Sequence, residues 1–356
     1  MVFTQKFEEE VINFVPKISE KRNYWFVRTL GGQYFEDFAN GNFISIGYNE
    51  ILLFDVNLAK NTKNPTEFLA DKVRKFYEEN GTPAHTANQI LKFVYEIKKG
   101  DVVLIPSDSS MFLKFGEVLE DFTYLKSESK DSDKCPFEKR KKVRWIKTIS
   151  KDQLNPNLYK LIYSHHTITK ANIYDQYIDK TLNTFFTKNN KAHLVLDVST
   201  PQGINAKELF RMGLNLFDLL DNFCEEEQLQ VSSDDIETKV NLSSPGTVEL
   251  ISNSVYALGI IGFIIVCLNG GDYELNFRVA KVSMSSKGLI QVITNFLNEK
   301  SDRKIKEQLV KQMEKMQLQS PDDITKILAA ISKKINEKED TSQLKINTEK
   351  DESQKS

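Results

Sequence analysis

The sequence predicts an α+β protein of two parts, and three observations lead to this prediction. Residues 23–51 combine two β-type runs, a Gly-Gly turn and a short helix with a high density of aromatic side chains. Residues 239–253 and 281–295 resemble each other, which indicates a duplicated element. Residues 250–271 contain no charged side chain. The first observation defines a small sheet-containing part, and the other two define a second part.

Composition and charge limit the partners of this chain. The 356 residues are enough for two or more domains, and 48 Lys and Arg against 50 Asp and Glu give a net charge of -2. Any contact with nucleic acid must therefore be local. Three widely spaced cysteines predict no disulfide framework and no zinc site, which favours a reducing compartment. The polar, acidic start predicts no cleaved signal peptide, so we expect a cytoplasmic protein.

The first part is predicted to alternate short strands with amphipathic helices. Gly and Pro separate most of these segments, and 126–136 is polar enough to predict an exposed loop. A docking helix is expected at 6–14 before the first strand. Strands are predicted at 24–27, 43–48, 102–105, 115–119 and 142–147, and helices at 34–40, 64–80 and 86–98.

Two groups of residues in this part are candidates for binding. Trp25, Tyr48 and Asn49 flank strand ends, where a planar ligand can stack on a ring while an amide both donates and accepts hydrogen bonds. Residues 139–147 carry six cations beside Trp145, which favours contact with backbone phosphates. Lysines that protect an exposed strand edge would give the same pattern, and rings can also simply fill a core.

The order of the short motifs YWFVR, GG-x-Y-x-x-F, NFISIGYNEI, KKGDVVLIPSDSS, KFGEV and KVRWIKTI resembles the EVE and PUA-like β-barrels of bacterial modification-dependent restriction and antiphage defence proteins. The resemblance covers about residues 20–150, with a helical tail to about 190. It implies a small β-barrel whose pocket takes a flipped or modified base, or a related nucleotide. Tyr48 departs from the family, where tryptophan is more frequent. The residues implied are Trp25, Tyr48 and Asn49 around the base, Arg28 and Ser107 at its sugar or phosphate, and Lys141, Lys142 and Arg144 along the backbone.

The second part, 191–300, is predicted to be a βα-repeat module. A strand at 193–198 precedes a long amphipathic helix at 205–224. Both similar segments are predicted to form a strand, a Ser-capped turn and a helix, through duplication or through chance reuse of a common pattern. Amphipathic helices follow within 301–335, and the polar tail 336–356 is expected to be disordered.

The uncharged segment Leu250 to Gly271 allows two interpretations. Nineteen of its residues in one helix would reach about 28 Å, close to the thickness of a bilayer core, so it predicts contact with the inner membrane. Its polar residues, its acidic flanks and the glycines at 259 and 262 fit a buried core helix equally well. If it inserts, Gly259 and Gly262 would let copies pack closely, which favours a homo-oligomer.

Familiar catalytic motifs do not occur in this sequence. GxxxxGK[ST], GxSxG and HExxH are all missing, and His165 and His166 are adjacent without a metal-ligand spacing. We therefore expect no catalytic residue, metal or cofactor, and a non-catalytic sensor of nucleic acid or nucleotide in antiphage defence, coupled to an oligomerising C-terminal half. The alternatives are a membrane effector whose apolar helix forms a ligand-gated pore, and a divergent nuclease that depends on Asp197.

Overall fold

The computed structural model describes residues 7, 11–126, 134–198, 205–241, 246–269, 289–300 and 302–331. The chain forms two compact units. The first unit is Lys21–Leu182, and the second unit combines Met1–Glu20 with Asn183–Ser356. The first unit ends eight residues before the boundary expected at 190. Residues 6 and 8–10 of the expected 6–14 helix, most of the 126–136 loop and the whole 336–356 tail lie outside the described residues, and Ile12–Phe14 form a short 3₁₀ helix.

The first unit contains a seven-stranded sheet that curls into a half-barrel. The strand order is β2-β6-β4-β3-β1-β7, with β5 paired to β6. β1 and β3 are parallel, and the other pairs are antiparallel. The strands are β1 (Tyr24–Val27), β2 (Phe43–Ile46), β3 (Val102–Pro106), β4 (Phe112–Val118), β5 (Tyr124–Leu125), β6 (Lys139–Ser150) and β7 (Ile168–Lys170).

The helices of this unit pack on the sheet or close its ends. They are α1 (Phe35–Gly41), α2 (Leu53–Lys60), α3 (Pro65–Phe76), α4 (Pro83–Leu91), α5 (Tyr159–Ile162) and α6 (Asp175–Leu182). A π-helical turn, Lys92–Glu96, continues α4. Asn64 caps α3 by accepting a hydrogen bond from the backbone N–H of Glu67, and Pro65 occupies its first turn.

Alternation along the central strands produces two separate cores. β1 and β3 are buried on both faces, as continuous apolar runs predict. Trp25 and Val27 pack into the core beneath α1 to α4, whereas Tyr24 and Phe26 point into the core beneath α5 and α6. The strands and the helices predicted at 34–40, 64–80 and 86–98 are confirmed with shifted ends: β6 extends three residues beyond 142–147 at each end, and α3 ends at Phe76. The helix α2 was not predicted, and the expected 6–14 segment belongs to the second unit.

The second unit has a four-stranded antiparallel sheet of order β10-β11-β9-β8. Its strands are β8 (Phe185–Lys188), β9 (Lys191–Val198), β10 (Glu237–Asn241) and β11 (Gly246–Ser252). Its helices are α7 (Ala206–Glu226), α8 (Val255–Leu268), α9 (Leu289–Asn295), α10 (Arg303–Lys315) and α11 (322–331). The predicted strand at 193–198 and the predicted helix at 205–224 are confirmed.

In the first similar segment the predicted strand is confirmed, because Glu237–Asn241 form β10, but the predicted helix is wrong. Residues 246–252 form β11, which pairs with β10 on one side and β9 on the other. Its β-branched residues and two strand partners outweigh the helical spacing of its apolar side chains. In the second segment, 289–295 is helical and 281–288 lies outside the described residues.

The uncharged segment is not one helix, which corrects the expectation for 250–271. Its first three residues end β11, Ser254 caps the next helix at the backbone N–H of Ala257, and α8 has 14 residues, about 21 Å. No helix among the described residues is both long and apolar enough to cross a membrane. Gly259 and Gly262 pack against Phe7 and Ile324 of the same unit. They are therefore not surfaces left open for packing against another copy.

Candidate ligand-binding surface

Trp25 lies in the core of the first unit and not at a binding site. It is 0% exposed, and its Nε1 donates to Asp101 Oδ2 at 2.8 Å. The same carboxylate accepts from the backbone N–H groups of Asn23 and Lys98 at 3.1 and 2.9 Å. This Asp101 group joins β1 to the turn before β3. The expectation that Trp25 stacks on a ligand is therefore wrong, because neither face of its ring reaches solvent.

Tyr48 and Asn49 are half-buried and organise the loop after β2. Asn49 Nδ2 donates to Pro136 O at 2.8 Å, and its Oδ1 accepts from Glu138 N at 3.1 Å. The Tyr48 ring meets the Tyr77 ring edge-on, with 5.3 Å between centroids. Both side chains thus connect β2 to neighbouring segments, and the Asn49 amide already has protein partners on both its atoms.

The basic run of β6 divides into buried and exposed cations. Lys139, Arg140 and Lys141 are buried, and Lys141 Nζ donates to Asp121 O at 2.8 Å. Burial lowers the pKa of Lys139 and of Lys141 to about 8. The expected phosphate contact by Lys141 is wrong, because its ammonium group points into the protein.

Lys142 and Arg144 remain exposed and can still reach a ligand. Lys142 pairs with Glu120 at 3.1 Å, and Arg144 with Glu117 at 2.6 Å. Exposed pairs of this kind contribute only about 0–1 kcal/mol, so a phosphate can replace the glutamate. Phosphate contact by these two cations therefore stays a prediction.

Arg28 and Ser107 lie at the ends of neighbouring strands and position two loops. Thr29 Oγ1 donates to Pro106 O at 2.6 Å, which joins the loops after β1 and β3. Arg28 donates from Nε to Ser164 O at 2.6 Å and from Nη2 to Ile162 O at 3.1 Å. Ser107 Oγ accepts from Phe112 N at 2.8 Å. Both residues are thus occupied with backbone groups of their own unit.

Two loops, residues 107–111 before β4 and residues 163–167 before β7, carry exposed side chains at or beside them. Arg28 binds the carbonyls on either side of Tyr163, whose ring is 64% exposed. Ser107 fixes the turn into β4, where Met111 and Phe112 are 58% and 47% exposed. Lys151 joins the two loops, because its backbone N–H donates to Met111 O at 2.8 Å and its Nζ lies 5.9 Å from the Tyr163 ring centroid. We call Met111, Phe112, Lys151 and Tyr163 the aromatic–lysine surface.

This surface combines exposed rings with a cation, a combination that proteins use to bind single-stranded nucleic acid. Open aromatic faces stack on bases of any sequence, and an adjacent ammonium group attracts phosphate. Sequence reasoning did not select these residues. An aromatic residue at the start of β4, and another beside the polar Ser-His-His run, were signals that could have indicated them.

Comparison with known proteins gives one match. A family model described as a domain of unknown function (DUF8426) matches residues 27–175, all within the first unit. No curated protein and no solved structure matches the chain. The matched region includes both loops that carry the aromatic–lysine surface.

Proposed function

We propose that the first unit is a non-catalytic module that recognises nucleic acid or a nucleotide through the aromatic–lysine surface. Tyr163 and Phe112 stack on bases, and Lys151 binds the adjoining phosphate. The observation that carries this proposal is the exposure of two rings on loops that Arg28 and Ser107 hold in place. Fixed, solvent-exposed rings lose little conformational entropy when a base stacks on them.

The distribution of cations supports a local contact. The chain as a whole has a net charge of -2, so it has no general attraction for polyanions. Lys151 lies between the two exposed loops, and Lys142 and Arg144 extend positive charge along β6. A ligand that follows these residues would be bound by stacking and by phosphate contacts together, and its affinity would fall with salt.

The finer assignment comes from the resemblance of the motifs. On that basis we propose that the first unit is an EVE/PUA-like sensor of a bacterial antiphage defence protein. The second unit would be the part through which the chain forms oligomers. The mixed, curled sheet of the first unit is compatible with that family. The binding residues differ from those that the resemblance implied, because Trp25 and Lys141 are buried.

Fluorescence anisotropy with labelled 12-nucleotide DNA and RNA, single-stranded and duplex, tests the proposal on the full chain. We expect Tyr163→Ala and Phe112→Ala each to weaken single-strand binding by about 5-fold to 100-fold, the cost of one lost stacked base. Phe54→Ala is the matched control, because Phe54 is 70% exposed on α2 outside the surface.

The outcomes of this experiment are distinct. Unchanged affinity in both Tyr163→Ala and Phe112→Ala would remove the surface from the site, and an equal loss in Phe54→Ala would show that binding is not local. Competition by free nucleoside triphosphates separates a nucleotide ligand from an oligonucleotide. Light scattering of the full chain at several concentrations tests the proposed homo-oligomer.

A further inference from the structure

Two histidines from distant parts of the sequence meet at the surface of the first unit. His85 lies in the first turn of α4, and His166 lies between α5 and β7. His85 Nε2 and His166 Nδ1 are 3.1 Å apart, although the residues are 81 positions apart in sequence. Both side chains are exposed, and their ring centroids are 4.7 Å apart. The sequence had offered only the adjacent pair His165 and His166, which cannot converge on one ion.

We propose that His85 and His166 form a binding site for a divalent transition metal such as Zn²⁺. A tetrahedral zinc ion with Zn–N bonds of about 2.0–2.1 Å requires its two imidazole nitrogens to be about 3.3 Å apart. The observed nitrogens need to separate by only about 0.2 Å. Because both side chains are exposed, each ring can rotate until its nitrogen lone pair points at a shared ion and no longer at the other ring.

The backbone beneath the two histidines holds them at this distance. Gln89 lies one turn after His85 on α4 and is buried, and its Oε1 accepts from Ile168 N at 2.7 Å. Ile168 is two residues after His166, and Thr167 O accepts from Arg28 N at 2.9 Å. Each histidine therefore projects from a segment that is hydrogen-bonded close to it, so the pair is preorganised for a ligand.

The electrostatic environment favours the metal-binding form of His85. Burial lowers its pKa, and His166 and Lys92 lower it further. Within the described residues, no group of three or more His, Cys, Asp or Glu side chains is placed to hold a metal. The site would thus have two protein ligands and open positions for water, which is an arrangement for exchangeable binding and not for a closed structural centre.

Calorimetric titration of the full, chelator-treated chain with ZnCl₂ tests this proposal. We expect one Zn²⁺ per chain, at least tenfold weaker binding in His85→Ala and in His166→Ala, and wild-type binding in His165→Ala. His165 is a suitable control because it is exposed and adjacent to His166, whereas His166 is the residue whose ring meets His85. MgCl₂ should give no heat at this site, since Mg²⁺ prefers oxygen ligands.

A second readout depends on the site cross-linking two segments. Zn²⁺ should raise the Tm of the wild type and of His165→Ala but not that of His85→Ala or His166→Ala. Wild-type zinc affinity in both latter variants would overturn the proposal, as would an equal loss in His165→Ala. One Zn²⁺ per two chains would also overturn it, because the ion would then bridge copies.

Discussion

The buried lysines of β6 make a quantitative prediction about stability and pH. Lys139 Nζ donates to Tyr48 O at 2.8 Å and to Ile51 O at 3.1 Å, so it is solvated by carbonyl groups. Burial lowers its pKa from 10.5 to about 8. Between these two values the unfolded chain binds the proton that the folded chain has lost. Stability from this group therefore rises as the pH rises from 8 to 10.5, and below pH 8 it no longer depends on pH.

The expected magnitude follows from these two pKa values. Integration from pH 8 to pH 9.5 gives about 1.5 kcal/mol of added stability for Lys139, and about the same for Lys141. Replacing Lys139 by Met should remove its share of that increase. Urea unfolding at both pH values, followed by tryptophan fluorescence, measures the difference, since Trp25 and Trp145 both lie in the first unit.

The comparison between variants isolates the lysine from other titrating groups. Tyrosines and cysteines contribute equally to the wild type and to Lys139→Met, so their effects cancel in the difference. Lys142→Met is the matched control, because this neighbour is exposed and should leave the pH dependence unchanged. If the wild type and Lys139→Met gain the same stability between pH 8 and pH 9.5, the ammonium group is not desolvated as the structure indicates.

Three further changes test packing and charge elsewhere. Asp101→Ala should destabilise the first unit by at least about 2 kcal/mol in urea unfolding, because it leaves Trp25 Nε1 and two backbone donors without an acceptor. Asp101→Asn should destabilise it less. Gly259→Ala should cost about 1–3 kcal/mol in thermal unfolding, since the new Cβ would meet the Phe7 ring. Lowering the pH below about 6.5 should destabilise the wild type more than His85→Ala, because the folded state resists protonating a histidine of lowered pKa.

The strands and helices that the sequence predicted correctly are those whose structure follows from residues within the element itself. β1 and β3 are continuous apolar runs bounded by turn residues, and α3 has its capping Asn, its Pro and its apolar face in one segment. The same reasoning failed for β11. Its apolar residues fit either a helix or a strand, and only its pairing with β9 and β10 decides between them.

The candidate site was less predictable, because each role depends on a partner far along the chain. Arg28 was expected to contact the sugar or phosphate of a ligand, yet the acceptor of its Nε is a backbone oxygen 136 residues away, at Ser164 O. Lys139 and its carbonyl acceptor at Tyr48 are separated by 91 residues. A local pattern shows that a cation is present but not whether water, a phosphate or the protein's own backbone will surround it.

Arg28 was expected to contact the ligand, but in the structure it positions the loop that carries Tyr163. Its fork binds two carbonyls that flank Tyr163, and the planar guanidinium group sets the directions of both bonds. The fork holds the backbone on both sides of Tyr163, from which the exposed ring projects. Binding energy and loop position are then coupled, since a base that stacks on Tyr163 also stabilises the loop conformation that Arg28 maintains.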